Sequence, residues 1–226
     1  MPLAKDATEA VRTQFLKCLQ AIPTQEVIEN IENISRYLRL ALTHLAIAIR
    51  SSAADAMLYV LKVGTEDFVS CHGGWIQTLK CLVTVLGWNQ SKSADGWTSY
   101  KMSQSPADIK TVPKYLHLLT MVLEIGLGEP NHSSPEHPKN WLASNLRDRH
   151  MIPRWSNPYG YLDLLGPTGS EDEQGFEDFE ERRNIFNKRF RSIVENGLAH
   201  ARMEGGEIGR AAVKADNAMT KHPARI

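Results

Sequence analysis

The stretch TQEVIENIENISRYLRLALTHLAIAIRS, Thr24 to Ser51, decides the fold. Its apolar positions Ile31, Ile34, Leu38, Leu42, Leu45 and Ile49 step by three, four, four, three and four. An α-helix turns every 3.6 residues, so these positions fall on one side and predict one continuous amphipathic helix. A strand would alternate with a period of two, and no such alternation occurs here. Pro23 stops the helix before it, and Thr24 stands ready to cap the next one.

The same step extends in both directions. Val11, Phe15, Leu19 and Ile22 make a first helix that ends at Pro23. Ser51, Ser52 or Asp55 is expected to break or recap the long helix before AMLYVLKV, residues 56–63, which Gly64 ends. GGWIQTLKCLVTVLGW, residues 73–88, reads as a helix or as a buried strand in its β-branched part, and the helix is favoured because Trp75, Leu79, Leu82 and Leu86 keep the three-to-four step. Asn89 to Ser105 is rich in Ser, Asn and Gly and reads as a loop. Then SPADIKTVPKYLHLLTMVLEIGLG, residues 105–128, offers Ser105 as a cap and Pro106 as a first helical residue. Pro113 is expected to restart or kink that helix, and Gly126 and Gly128 to stop it.

The texture changes at Gly128. Pro130, Pro135, Pro138, Pro153, Pro158 and Pro167 crowd the next segment, six of the chain's eleven prolines. Beyond it, Phe179, Arg183, Phe186, Phe190 and Ile193 define one face of a charged helix, with acids leading and bases following. Gly205 and Gly206 break that helix, and an Ala-rich segment runs to Asn217. The fold expected is all-α: a single helical domain of about seven helices, with a long Pro-rich loop before the C-terminal helix. Its parts are an N-terminal helical core over 1–127, a connector over 128–175, and a C-terminal helix and tail over 176–226 packing on the core.

Composition narrows the function. Of 226 residues, 26 are Lys or Arg and 26 are Asp or Glu. Zero net charge argues against a polybasic protein but leaves room for a local basic surface. The cysteines Cys18, Cys71 and Cys81 form no CxxC pair and each lies in or beside an apolar run, which reads as buried reduced thiols in a reducing compartment. No apolar run is long enough for a membrane span. His132, Glu136, His137 and His150 lie in a Pro- and Ser-rich region without zinc-ligand spacing, so no metal is expected. No nucleophile elbow or phosphate loop occurs, and no cofactor is implied.

Two features point to RNA. NLRDRHMIPRWSNPYGY, Asn145 to Tyr161, interleaves Arg147, Arg149 and Arg154 with Trp155, Tyr159 and Tyr161. Such mixing serves single-strand binding, where cations track phosphates and rings stack on bases. On the C-terminal helix, Lys188 and Arg191 project opposite the Phe179 face. The structural alternative is that the aromatics pin a loop to the helical body, and that the helix charges complement its dipole.

KNWLASN, residues 139–145, followed by the aromatic Pro segment and the charged helix, resembles the C-terminal half of flexible filamentous plant-virus coat proteins. That resemblance implies a helical subunit that holds single-stranded RNA and polymerises. The family's Phe-Asp-x-Phe segment is absent, with YLDLLG, residues 161–166, in its place. The expectation is a non-enzymatic, self-assembling protein that packages single-stranded RNA, like a viral coat or nucleocapsid subunit, in the cytoplasm or in a virion. Arg147, Arg149, Arg154, Trp155, Tyr159, Lys188 and Arg191 would bind the RNA, and the chain would form a homo-oligomer or filament. One alternative is a helical ribonuclease: Arg39 and His44 match the Arg-x4-His spacing of HEPN-type nucleases, which are similar in that motif alone. Another is a matrix-like or adaptor protein that binds only protein.

Overall fold

The structure, a computed structural model, describes residues 2–88, 106–128, 175–176 and 178–221. Among these residues every regular element is a helix, so the all-α expectation holds. A 3-10 turn, Pro2–Lys5, leads into α1 (Glu9–Ala21). Then come α2 (Thr24–Glu29), α3 (Ile31–Leu42), α4 (Ile47–Val63), α5 (Thr65–Ser70) and α6 (Ile76–Val85). After α7 (Pro106–Leu127) come α8 (Phe179–Ile185), a π-helical turn (Phe186–Phe190), α9 (Arg191–Glu204) and α10 (Gly206–Thr220). The loop expected over 89–105 and the Pro-rich connector between Gly128 and Gly175 lie outside the described residues.

The expected continuous helix over Thr24–Ser51 is three helices. Asn30 leaves helical geometry at φ −108°, ψ 13°, and its side-chain amide donates to the Glu26 carbonyl at 3.0 Å. A side chain that offers the backbone an alternative partner ends a helix this way. The second break spans 43–46. Thr43 Oγ1 donates back to the Arg39 carbonyl at 3.3 Å, and the Ala46 amide donates to His44 Nδ1 at 3.1 Å. Arg50 then reaches back from α4 and donates to the carbonyls of His44 and Leu45, both at 2.9 Å. Leu45, placed by periodicity on the buried stripe, is 90% exposed because it lies in this turn. No break comes at Ser51, Ser52 or Asp55; α4 runs through all three and buries Ala53, Ala54, Met57, Val60 and Leu61.

Helix α7 is the axle. It packs against α4, α5 and α6 on one side of the chain and against α8 and α10 from the other. Leu116, Leu118, Leu119, Val122 and Leu123 are fully buried. Pro113 sits inside it without ending it. Gly126 does not stop it either. A Cβ at Gly126 would overlap the six-membered ring of Trp75, so glycine is there to let the indole lie against the α7 backbone. Nearer the C-terminus, Gly205 does make a break, at φ +69°, a conformation that favours glycine.

The C-terminal region corrects the projected face. Phe186 and Phe190 are buried, but Phe179 and Ile193 are only half-buried, and the core residues of α9 are Val194, Leu198 and Ala201. The π-helical turn accounts for the shift. One extra residue per turn rotates everything downstream by about 100°.

Candidate nucleic-acid interface

Two of the predicted RNA contacts lie in described structure. Lys188 is exposed on the π-helical turn. Arg191, expected to project freely, is tied down: its Nε donates to Glu195 Oε1 at 2.9 Å and its Nη1 to Asn187 Oδ1 at 3.0 Å. Its charge is met by a carboxylate one turn on. Arg202, further along α9, likewise pairs with Asp216 of α10 at 2.6 Å. Arg147, Arg149, Arg154, Trp155 and Tyr159 lie outside the described residues. Of the two that are described, Lys188 is exposed and Arg191 is held by its own neighbours.

The arginine that organises this region is Arg182, one position from the one expected on the buried face. It is 0% exposed. Nε donates to the Gly126 carbonyl at 3.2 Å, Nη1 to the Phe176 carbonyl at 2.7 Å and Ser70 Oγ at 3.1 Å, and Nη2 to Glu66 Oε1 at 2.6 Å. In return, Trp75 Nε1 donates to the Arg182 carbonyl at 3.0 Å. A guanidinium carries its donors in a rigid planar fork, so one side chain fixes α5, the end of α7 and the approach to α8 together. The Trp75 ring also meets Phe186 at a 6.3 Å centroid distance and a 46° tilt. The clue available in the sequence is only an arginine beside a Phe-rich face; its partners on α5 and α7 lie 56 to 116 residues away.

The nuclease-like pair does not assemble. Arg39 is on α3, 6% exposed, and donates to Ser35 Oγ at 3.1 Å. His44 lies beyond the helix end, and its Nδ1 accepts from the Ala46 amide. They do not share a helix face, so the phosphate-polarising and proton-moving roles have no common target.

Around Arg39 the chemistry is that of a thiol pocket. Cys81 Sγ donates to the Arg39 carbonyl at 3.7 Å, and Cys71 Sγ to the Phe68 carbonyl at 3.2 Å. Burial pushes the Cys71 thiol up and the Cys81 thiol up to about 12, against a smaller opposing pull from Arg39. Burial also lowers Arg39, partly offset by its sulfur neighbours. Both thiols stay protonated near neutral pH, where a nucleophile or metal ligand would be a thiolate. The expectation of three buried cysteines is corrected: all are free, but only Cys81 is buried, Cys71 is intermediate and Cys18 is exposed. Among the described residues no group of three His, Cys, Asp or Glu side chains could hold a metal ion, and no helix is long and apolar enough to cross a membrane.

One surface feature has no counterpart in the sequence pattern. Tyr37 and Leu40 of α3 and Leu45 in the following turn are 39%, 51% and 90% exposed. The long stripe conceals them, because simple periodicity counts Leu45 among its buried members.

Comparison with known proteins gives this geometry a context. Residues 25–123 match the family model Ipi1_N, described as a Rix1 complex component involved in 60S ribosome maturation. The chain is 36% identical over 220 residues to the "Pre-rRNA-processing protein ipi1" of Sclerotinia sclerotiorum, covering 94% of this chain and 63% of that protein. It is 35% identical over 222 residues to the protein of that name from Aspergillus fumigatus, covering 93% and 64%. It is 32% identical over 228 residues to the one from Chaetomium thermophilum, covering 97% and 65%. The chain thus spans just under two thirds of the length of these relatives. Likeness to pre-rRNA-processing proteins along nearly the whole chain overturns the coat or nucleocapsid reading drawn from residues 139–166. The expected packaging of single-stranded RNA, the self-built filament, and the cytoplasmic or virion setting fall with it.

Proposed function

We propose that this chain is a non-catalytic component of a nuclear assembly that matures the large ribosomal subunit and acts on its pre-rRNA. The observation that carries this reading is identity of 32–36% to proteins named for pre-rRNA processing, over 93–97% of the chain. Supporting it, the matched segment 25–123 runs from α2 into α7 and holds Tyr37, Leu40 and Leu45. Exposed apolar side chains on α3 and in the turn that follows it favour a protein-docking role. The protonated thiols and the separated Arg39 and His44 favour docking over catalysis.

Depleting the protein in its own cells tests the reading. Unprocessed pre-rRNA should accumulate relative to mature large-subunit rRNA, and the tagged protein should co-sediment with large-subunit precursors. Unchanged pre-rRNA ratios together with sedimentation only as free protein would overturn it.

A further inference from the structure

We infer that the outer face of α10 is a contact surface for the phosphate backbone of RNA; this rests on the proposed role in pre-rRNA maturation. Arg210, Lys214, Asn217 and Lys221 are all exposed. At 100° per residue they fall within a wedge of about 60°, directly opposite the side that packs inward. That inward side is Ala212, Ala215 and Met219, each at most 2% exposed. Lys221 comes just after the helix but keeps helical dihedrals, φ −59°, ψ −23°, so the line continues through it.

The three cations of this line contrast with five others that are met by a carboxylate. Arg36, Lys114, Arg182, Arg191 and Arg202 each have a carboxylate within ion-pair distance. Arg210 bonds only its own Gly206 carbonyl, through Nε at 3.3 Å, which leaves both terminal nitrogens to solvent. Lys214 and Lys221 have no partner among the described residues. Asp216, the acid nearest along the helix, is held by Arg202. Glu207 lies in the first turn, where a helix favours an acid.

The spacing suits a repeating anion. From Arg210 to Lys221 is about 16 Å of helix, at about 1.5 Å per residue. At an axial rise of about 3.4 Å per nucleotide, that length faces four or five successive phosphates of one strand. Asn217, between the lysines, supplies an amide for a phosphate oxygen or a 2′-hydroxyl. An acidic protein is a poorer fit. Protein interfaces centre on large apolar or aromatic anchors, and the exposed large apolar side chain flanking this line is Val213, 41% exposed. The face carries no base-reading aromatic, so it positions RNA without selecting sequence.

The experiment uses the purified full chain and a fluorescent RNA hairpin, with affinity followed by anisotropy over a range of salt. The variant R210E/K214E/K221E is compared with K17E/K62E/K110E, which changes net charge equally through exposed lysines elsewhere. Thermal melts confirm that both fold. The α10 variant should lose at least about tenfold in affinity at low salt, and its log–log salt slope should flatten by about 2, at about 0.7 for each lost phosphate contact. The control should stay within about twofold of the wild type. Equal losses in both variants, or no RNA affinity in the wild type, would overturn the inference. Polyglutamate displacing the hairpin at equal charge concentration would also overturn it, in favour of an acidic protein partner. So would binding of vesicles rich in anionic lipid that depends on α10 while RNA binding does not. If α10 binds RNA but depletion leaves pre-rRNA processing normal, the proposed function fails and this surface stands.

Discussion

Arg182 and Arg191 stand nine positions apart in one run of helix and do opposite things. Arg182 is sealed from solvent and holds Glu66, Ser70, Gly126 and Phe176. Arg191 lies at the rim and holds its neighbours Asn187 and Glu195. Charge and residue type are the same. The difference is whether carbonyls and a carboxylate from distant helices converge on the guanidinium. A cation at a helix surface belongs to a site, a rim or a core according to what packs above it.

Removing Arg182 should produce the largest effect. Arg182→Ala leaves buried carbonyls and Glu66 without their donor, a loss of about 3–5 kcal/mol. Thermal melting should fall by about 6–20 °C at roughly 2–4 °C per kcal/mol. A shift of only a degree or two would mean that the junction is not built as described. Gly126→Ala tests the same junction from the other side. The added methyl meets the Trp75 ring, and overpacking of that kind costs about 1–3 kcal/mol. Trp75 fluorescence should shift in this variant as the indole moves off α7.

The cysteines repeat the contrast between inside and outside. Burial pushes the Cys81 thiol up to about 12, well above its ordinary value of 9.0. A folded-state pKa above the unfolded one stabilises the protein below about pH 9, and that contribution is lost as pH rises from about 9 towards 12. At pH 10 the wild type should have lost on the order of 1 kcal/mol of stability relative to Cys81→Ala, each measured against its own neutral-pH value. Parallel pH curves for the two proteins would contradict the burial. At pH 8 a thiol reagent should label exposed Cys18 in the native protein and reach Cys81 only on unfolding. Arg191→Ala closes the series. Its pair with Glu195 is partly exposed and spans a single helical turn, worth about 0.3–0.5 kcal/mol, so melting should move by about 2 °C or less. A loss near that of Arg182→Ala would erase the distinction drawn between them.

Legibility in the sequence falls off with distance along the chain. The three-to-four step marks α1, α3, α6 and α7 because each buries a stripe that the local sequence spells out. Helix ends are less legible. Asn30 and the turn at 43–46 break the longest stripe through side-chain to backbone bonds that the periodicity of Leu and Ile does not register. Gly126 looks like a stop because glycine often is one, whereas its use here depends on an indole 51 positions earlier. Among the expected RNA contacts, Lys188 is exposed as the helical projection expects, whereas Arg191 is half-buried and tied to Asn187 and Glu195. The α10 face is within reach of the sequence, since Arg210, Lys214 and Lys221 are regularly spaced, but an Ala-rich composition draws the eye away from them.

Sequence alone determined that this chain is helical and roughly which residues face inward, because both follow from short-range periodicity and the removal of apolar side chains from water. Tertiary structure alone decided that Arg182 is a core residue, that Leu45 is a surface one, and which cations keep their charge free for a partner. Those outcomes depend on groups brought together from separate helices, and no local stretch contains them.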